Sequence, residues 1–171
     1  MEELNQNVEK SAEIVCFTGH REIPDEVMER LPDLLERVLD ELCARGAKVF
    51  RTGGAQGFDT VAALAVLNMK ETYPDIELEL VLPCRDQTEG WDMAAVQTYH
   101  YIMQNADYCD FLFDNYIEGC MQERDRALVE GSDVCVAYCA RSQGGTAFTF
   151  AYAMQEGLEV MNLHDMMEDL N

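Results

Sequence analysis

Positive charge is scarce in this sequence. Its 171 residues include 12 Lys and Arg against 33 Asp and Glu, which gives a formal net charge of −21 at pH 7. Non-specific binding to nucleic acids depends on cationic side chains that neutralise phosphates, and anionic membrane surfaces attract proteins in the same way. A chain with this charge balance is not expected to bind nucleic acid or a membrane surface.

Segments that would direct the chain into a membrane are also missing. No apolar run approaches the roughly 20 residues that a membrane span needs, and the polar, acidic residues 1–10 do not resemble a signal peptide. The 7 cysteines form no C-x-x-C pair, and neither they nor the 3 histidines have the spacing of zinc ligands. We therefore expect reduced thiols, no metal site and a cytoplasmic location.

Three well-known motifs are absent. The G-x-G-x-x-G fingerprint of nicotinamide-dinucleotide sites and the G-x-x-x-x-G-K-[ST] motif of P-loop NTPases do not occur. None of the serines, Ser11, Ser132 and Ser142, lies in a G-x-S-x-G sequence. The chain is therefore neither a P-loop NTPase nor a serine hydrolase with a nucleophile elbow.

Short apolar segments alternate with helical patterns along the chain. Strands are predicted at residues 14–17, 48–52, 78–82, 110–113, 134–138 and 158–163, and helices at 24–45, 60–69, 93–104, 119–130 and 144–156. Strands joined by such helices need crossover connections. The sequence thus predicts an α/β, three-layer Rossmann-like fold, with a mostly parallel sheet and helices on both faces.

The length of the chain suits one domain, which we expect at residues 13–165. A flexible N-terminal tail is expected at 1–12 and a C-terminal tail at 166–171. Pro32 lies inside the first predicted helix, where a proline kinks or splits a helix.

Glycine-rich turns follow two of the predicted strands and lead directly into helices. One turn runs from Thr52 to Asp59, and the other contains Gly144 and Gly145 and ends at Thr146. Parallel sheets bind ligands at the carboxyl ends of their strands. Glycine allows close approach of the backbone, and the first N–H groups of a helix attract anions. We therefore expect a phosphate-containing ligand at this edge of the sheet.

Four arginines lie at or just beyond the ends of predicted strands, namely Arg21, Arg51, Arg85 and Arg141. Arg124 and Arg126, near the start of the helix predicted at 119–130, can join them. A guanidinium group presents a planar fork of donors that suits phosphate. Their grouping in a strongly acidic chain supports the same ligand class.

Three segments, residues 17–21, 52–59 and 144–153, read FTGHR, TGGAQGFD and GGTAFTFAYA. In this order they resemble the YpsA-like family of the Smf/DprA–LOG (SLOG) Rossmann-like superfamily, and Pro83, Gln87 and Trp91 resemble it as well. The resemblance covers residues 13–163. It implies a nucleotide or nucleotide-derived ligand, such as ADP-ribose, NAD or a mononucleotide, and a homo-oligomer. It also implies a link to bacterial stress and cell-division physiology, and no established reaction.

The sequence departs from this superfamily at the position of a catalytic glutamate. LOG-type enzymes carry P-G-G-x-G-T-x-x-E, whereas the aligned residue here is Thr149. This favours a sensor or regulator over an enzyme. An alternative is a nucleotide N-glycosidic or phosphoribosyl hydrolase in which Glu89 or Asp59 acts as general acid or base. A DprA-like DNA-binding protein is disfavoured by the charge. Arg124-Asp125 stands where YpsA-like proteins are expected to have Arg-Asn.

The residues expected to contact the ligand are Gly19, His20, Arg21, Gly53, Gly54, Gln56, Gly57, Asp59, Arg85, Trp91, Arg141, Gly144, Gly145 and Thr146. Several roles stay open at this point. Asp59 either holds a ribose hydroxyl or stabilises the first turn of its helix. Thr146 either donates to a phosphate or caps a helix, and Trp91 either stacks on a base or packs in the core. His20 contacts phosphate or acts as an acid or base.

Overall fold

The structure is a computed structural model in which residues 12–170 are described. The expected N-terminal tail falls outside the described residues except for Ala12, which is buried. The strands are β1 (Ile14–Gly19), β2 (Val49–Thr52), β3 (Glu77–Cys84), β4 (Tyr108–Phe113), β5 (Val134–Tyr138) and β6 (Glu159–Asn162). The helices are α1 (Asp25–Ala44), α2 (Phe58–Met69), α3 (Met93–Asn105), α4 (Cys120–Val129), α5 (Gly145–Gln155) and α6 (Leu163–Asp169).

The strands form one parallel sheet in the order β4-β3-β2-β1-β5-β6. The order runs outward from β1 through β2, β3 and β4, and reverses at β5, which pairs with the other side of β1. This arrangement confirms the predicted three-layer Rossmann-like fold. The reversal creates a switch point between β1 and β5, where such folds bind their ligands.

Alternate residues of the strands serve two separate cores. Val15 and Phe17 of β1 pack in the larger core with α1, α2, α3 and α6, and Cys16 packs in the smaller core with α4 and α5. The period of two follows from the pleat of a strand, whose side chains point to opposite faces in turn. Both faces of the sheet are therefore covered, as the apolar character of β1 and β5 predicts.

The first helix is continuous, so of the two expected effects of Pro32, a kink or a split, the split is wrong. Pro32 lies on the exposed side of α1, while Leu31, Leu35 and Leu42 are buried on the other side. The carbonyl group that loses its helical donor to the proline belongs to Met28. Because this side of the helix faces solvent, the lost hydrogen bond does not break the helix.

Two further boundaries differ from expectation. β3 continues through Pro83 to Cys84, because β2 pairs with β3 only as far as Leu80, and a proline needs no donor on an unpaired side. Residues 163–169 form α6 where a tail was expected from residue 166. Leu163 and Met167, one helical turn apart, are buried against the core and hold this helix in place. No helix within residues 12–170 has the length and apolarity to cross a membrane.

Candidate functional site

A cleft of about 410 Å³ opens at the carboxyl ends of β1 and β5, at the switch point of the sheet. Its volume lies within the range of small-molecule sites. Its walls come from the loops after β1, β2 and β5 and from one side of α4. The lining residues are Phe17, Thr18, Gly19, His20, Arg21, Glu22, Ala55, Asp59, Met121, Arg124, Asp125, Leu128, Arg141, Gly145 and Thr146.

The N-terminus of α5 faces this cleft without a side-chain cap. The preceding residue, Gly144, has a φ of +102° and makes no capping hydrogen bond. A Cβ atom built on Gly145 would have no neighbour within 4 Å, so the space above the first turn is open. Gly145 and Thr146 both line the cleft. The free N–H groups of this turn and the positive end of the helix dipole form a site for an anion.

Arg21 and Arg141 reach the same cleft from the loops after β1 and β5. Both are exposed. Within residues 12–170, neither guanidinium group has a carboxylate partner within 4 Å, and the contact of Arg21 is with the sulfur of Met121 at 4.0 Å. Two cationic side chains without carboxylate partners thus lie beside an uncapped helix N-terminus.

In the glycine-rich turn before α2, two backbone N–H groups already donate to acceptors of the protein. The N–H of Phe58 donates to the carbonyl oxygen of His20 at 3.0 Å, and the N–H of Ala55 donates to Asp59 Oδ2 at 3.1 Å. A Cβ atom on Gly57 would collide with the backbone of Arg21, and one on Gly54 with a methyl group of Leu82. These glycines allow two loops to pack together. The N–H groups of Ala55 and Phe58 are therefore not available to a ligand, unlike those at the N-terminus of α5.

Arg124 fixes the beginning of that turn from α4. It is 5% exposed, and its Nη1 donates to the carbonyl oxygen of Gly53 at 2.6 Å. Its Nε donates to Asp125 Oδ1 at 2.8 Å. A Cβ atom on Gly53 would lie 2.6 Å from Arg124 Nη1, so the glycine makes room for the guanidinium group. Gln87 Nε2 donates to the same carbonyl oxygen at 3.4 Å.

His20 joins the two loops on either side of the switch point. It is 8% exposed, and its Nε2 accepts a hydrogen bond from the N–H of Ala140 at 2.9 Å. Burial, followed by the nearby charges of Arg141 and His164, lowers the pKa of the imidazole. A neutral ring that accepts at Nε2 carries its proton on Nδ1. The structure therefore gives His20 a role in holding the loop that carries Arg141.

Asp59 is a buried carboxyl group at the bottom of the cleft. Burial raises its pKa to about 6, against the opposing effects of Arg124 and of the Ala55 N–H. Of the two carboxylates considered as acid or base, Asp59 lines the cleft, and Glu89 lies on an exposed turn outside it. Thr149, at the position of the LOG-type glutamate, is buried and its hydroxyl donates to the carbonyl oxygen of Gly145 at 3.0 Å.

The structure brings half of the sequence-predicted site residues together. Those that line the cleft are Gly19, His20, Arg21, Asp59, Arg141, Gly145 and Thr146, and those that do not are Gly53, Gly54, Gln56, Gly57, Arg85, Trp91 and Gly144. Arg85 lies over the ring of Phe111 at 4.4 Å, and Trp91 packs edge-on against Tyr99 at 5.6 Å. Both follow β3, which is two strands from β1, or about 10 Å at the usual strand spacing.

Two other arginines near the strand ends are also directed elsewhere. Arg51 pairs with Glu79 and donates to the carbonyl oxygen of Glu130. Arg126 pairs with Glu123 on the surface of α4.

Some cleft residues were missed by reasoning from sequence. Met121, Asp125 and Leu128 are spaced three to four residues apart on α4 and face the cleft together. That spacing was visible in the sequence, and it indicates one side of a helix. What it did not indicate was that α4 crosses the sheet at the switch point, which depends on the strand order. Glu22, just after Arg21, was missed as well.

Comparisons with known proteins agree with this architecture. The family model YpsA, described as "YspA SLOG family", matches residues 10–167. A UPF0398 protein of Halalkalibacterium halodurans is 32% identical over 100 residues, which cover 57% of this chain and 53% of that protein. Another from Staphylococcus saprophyticus is 25% identical over 134 residues, 77% of this chain and 71% of that protein. The match thus spans about half the length of the first relative.

A solved structure shows the same fold at low sequence identity. DNA processing protein A from Helicobacter pylori, described in terms of its single-stranded DNA binding mode, superposes with a TM-score of 0.65 and 21% identity. The superposition covers 88% of this chain and 64% of that protein. At this identity the likeness concerns the fold alone.

Proposed function

The chain belongs to the YpsA family of SLOG proteins, and from this premise we propose that it binds a nucleotide or nucleotide-derived phosphate ligand in the switch-point cleft. We propose that it acts as a sensor or regulator in the bacterial cytoplasm, as a homo-oligomer. One observation carries the ligand class: the uncapped N-terminus of α5 meets Arg21 and Arg141, which have no carboxylate partner within residues 12–170. Helix amides and guanidinium groups together suit a phosphate.

The charge of the molecule limits the size of that ligand. A net charge of −21 opposes a long polyanion, whereas a single phosphate group needs only a local cationic patch. The cleft also contains the carboxyl groups of Glu22, Asp59 and Asp125, which would repel a longer series of phosphates. We therefore favour a compact ligand with one phosphate or pyrophosphate group over a nucleic-acid strand.

A thermal-shift panel of AMP, NAD and ADP-ribose tests this proposal. A ligand at about 100 times its Kd adds about 2.7 kcal/mol of stability, which is a rise in Tm of about 5 to 10 °C for a domain of this size. We expect at least one compound to raise Tm, and Arg141→Ala to abolish the rise. Arg37→Ala removes the same charge from the exposed surface of α1 and should leave the rise unchanged. No shift with any compound would contradict the proposal.

A nucleotide hydrolase is the second candidate, and Asp59 is the observation that favours it. A buried carboxyl group with a pKa of about 6 suits a general acid or base near neutral pH. Against it stands Thr149, whose hydroxyl is bound within its own helix at the position of the expected glutamate. Chromatography of the incubated AMP distinguishes the two candidates, since release of free adenine would make the protein an enzyme.

A further inference from the structure

Asp125, on the wall of the cleft, has one carboxylate oxygen that no donor within residues 12–170 contacts. It lies on α4, and its side chain is 15% exposed. Oδ1 accepts from Arg124 Nε at 2.8 Å. Within residues 12–170, no protein donor reaches Oδ2. A carboxylate has about four acceptor positions and no donor, so this group can satisfy a donor brought by a ligand.

Asp125 lies close to the cationic side of the cleft. The sulfur of Met121 contacts Arg21 Nη2 at 4.0 Å and Arg124 Nη2 at 3.9 Å. Arg124 in turn holds Asp125, so a single methionine separates the Asp125–Arg124 pair from Arg21. Arg21, the first turn of α5 and Asp125 line the same cleft, so a ligand whose phosphate is bound by the first two can bring its adjoining group to Asp125.

The chemistry of that adjoining group follows from the charge of Asp125. A phosphate or a carboxylate placed there would be repelled, and an apolar group would leave Oδ2 without a donor. A hydroxyl group donates to the free oxygen and satisfies it. We propose that Asp125 is a specificity-determining residue that accepts a hydrogen bond from a sugar hydroxyl, so that the site selects phosphorylated ribose over its deoxy forms. The inference rests on the proposed phosphate site.

Binding of AMP, 2′-deoxy-AMP and 3′-deoxy-AMP by isothermal calorimetry tests the inference. Hydrogen bonds to charged groups contribute about 1.5–3 kcal/mol, so we expect the wild type to bind AMP about tenfold or more tightly than at least one deoxy form. Asp125→Asn keeps the size of the side chain and the acceptor for Arg124 Nε, but removes the charge. Its amide can form only a hydrogen bond between neutral groups with the hydroxyl, so its preference for AMP should be weaker than that of the wild type by about threefold or more.

Glu123→Gln is the matched control, because Glu123 lies on the same helix and pairs with Arg126 outside the cleft. It should retain the wild-type preference for ribose. Equal binding of all three nucleotides by the wild type would overturn the role of Asp125 and leave the phosphate site standing. The same holds if Asp125→Asn, with an unchanged Tm, keeps the preference. If none of the three nucleotides binds, the hydroxyl selection is wrong, and the phosphate site is wrong as well if NAD and ADP-ribose also fail to raise Tm.

Discussion

At the scale of single residues, two side chains that the sequence suggested as acid–base groups form hydrogen bonds that hold loops in place. His20 accepts from the N–H of Ala140, and Asp59 accepts from the N–H of Ala55. Each bond fixes a loop that borders the cleft, so the geometry of Arg141 and of the α2 turn depends on groups that also line the site. The residue types at the strand ends were predictable from sequence, but their hydrogen-bond partners were not, because those partners come from other loops.

The raised pKa of Asp59 leads to a prediction about stability and pH. The folded protein keeps the Asp59 proton up to about pH 6, whereas the unfolded chain loses it near the ordinary value of 3.8. The native state therefore binds more protons between these values, and its stability falls as the pH rises through them. Asp59→Asn resembles the protonated acid and lacks this effect.

We expect the variant to gain stability relative to the wild type, by about 2 to 3 kcal/mol, between about pH 4 and pH 7. Urea unfolding of both proteins at the two pH values measures the difference. Because all other groups titrate alike in the two proteins, a difference that does not change with pH would show that Asp59 titrates normally.

At the scale of elements, the sequence predicted the order of strands and helices from β1 to β6, and the structure confirms it, whereas α6 was not predicted. β5 matches its predicted bounds, and α3 and α4 match to within a residue at each end. The site was predicted less well because it depends on which strands are neighbours. The loop after β3 carries Arg85 and Trp91, and in the order β4-β3-β2-β1-β5-β6 it lies away from the switch point. Strand order arises from the packing of the whole sheet and has no local signal.

The two glycine-rich helix starts, alike in sequence, differ in structure, and one substitution at each distinguishes them. Gly53 faces the buried guanidinium group of Arg124, whereas the position of a Cβ on Gly145 is open. Gly53→Ala should lower the free energy of unfolding by about 1–3 kcal/mol, as overpacking does. Gly145→Val should leave it within about 1 kcal/mol, since valine is no worse than glycine in a helix.

Gly145→Val should impair ligand binding although it leaves the stability of the protein nearly unchanged. The valine side chain would occupy the space above the first turn of α5, so we expect AMP to lose its thermal shift with this variant. Urea unfolding gives the stabilities, and the shift assay gives the binding. If Gly145→Val binds AMP as the wild type does, the N-terminus of α5 is not part of the binding site.

At the scale of the whole molecule, negative charge is in excess, and two cationic side chains without carboxylate partners within residues 12–170 lie at the switch point. The exposed side of α1 carries a row of carboxylates that includes Glu29, Asp33 and Glu36, whereas Arg21 and Arg141 gather at the switch point. A net charge of −21 favours solubility, but repulsion among the like charges destabilises the compact folded state. The two arginines at the switch point explain how an acidic molecule can present a local site for one anion.

This repulsion predicts that salt stabilises the protein. The Debye length falls from about 30 Å at 0.01 M to about 3 Å at 1 M ionic strength, which screens charges across the surface. Glu29 and Asp33 are four residues apart on α1, a spacing at which like charges destabilise a helix. We expect Tm to rise as the ionic strength is raised from about 0.01 M to about 1 M.

A triple variant, Glu29→Gln, Asp33→Asn and Glu36→Gln, tests this explanation. It should have a higher Tm than the wild type at low salt and a smaller rise of Tm with salt. Salt effects unrelated to charge act equally on both proteins, so an identical rise in the two would show that the carboxylates of α1 do not limit stability.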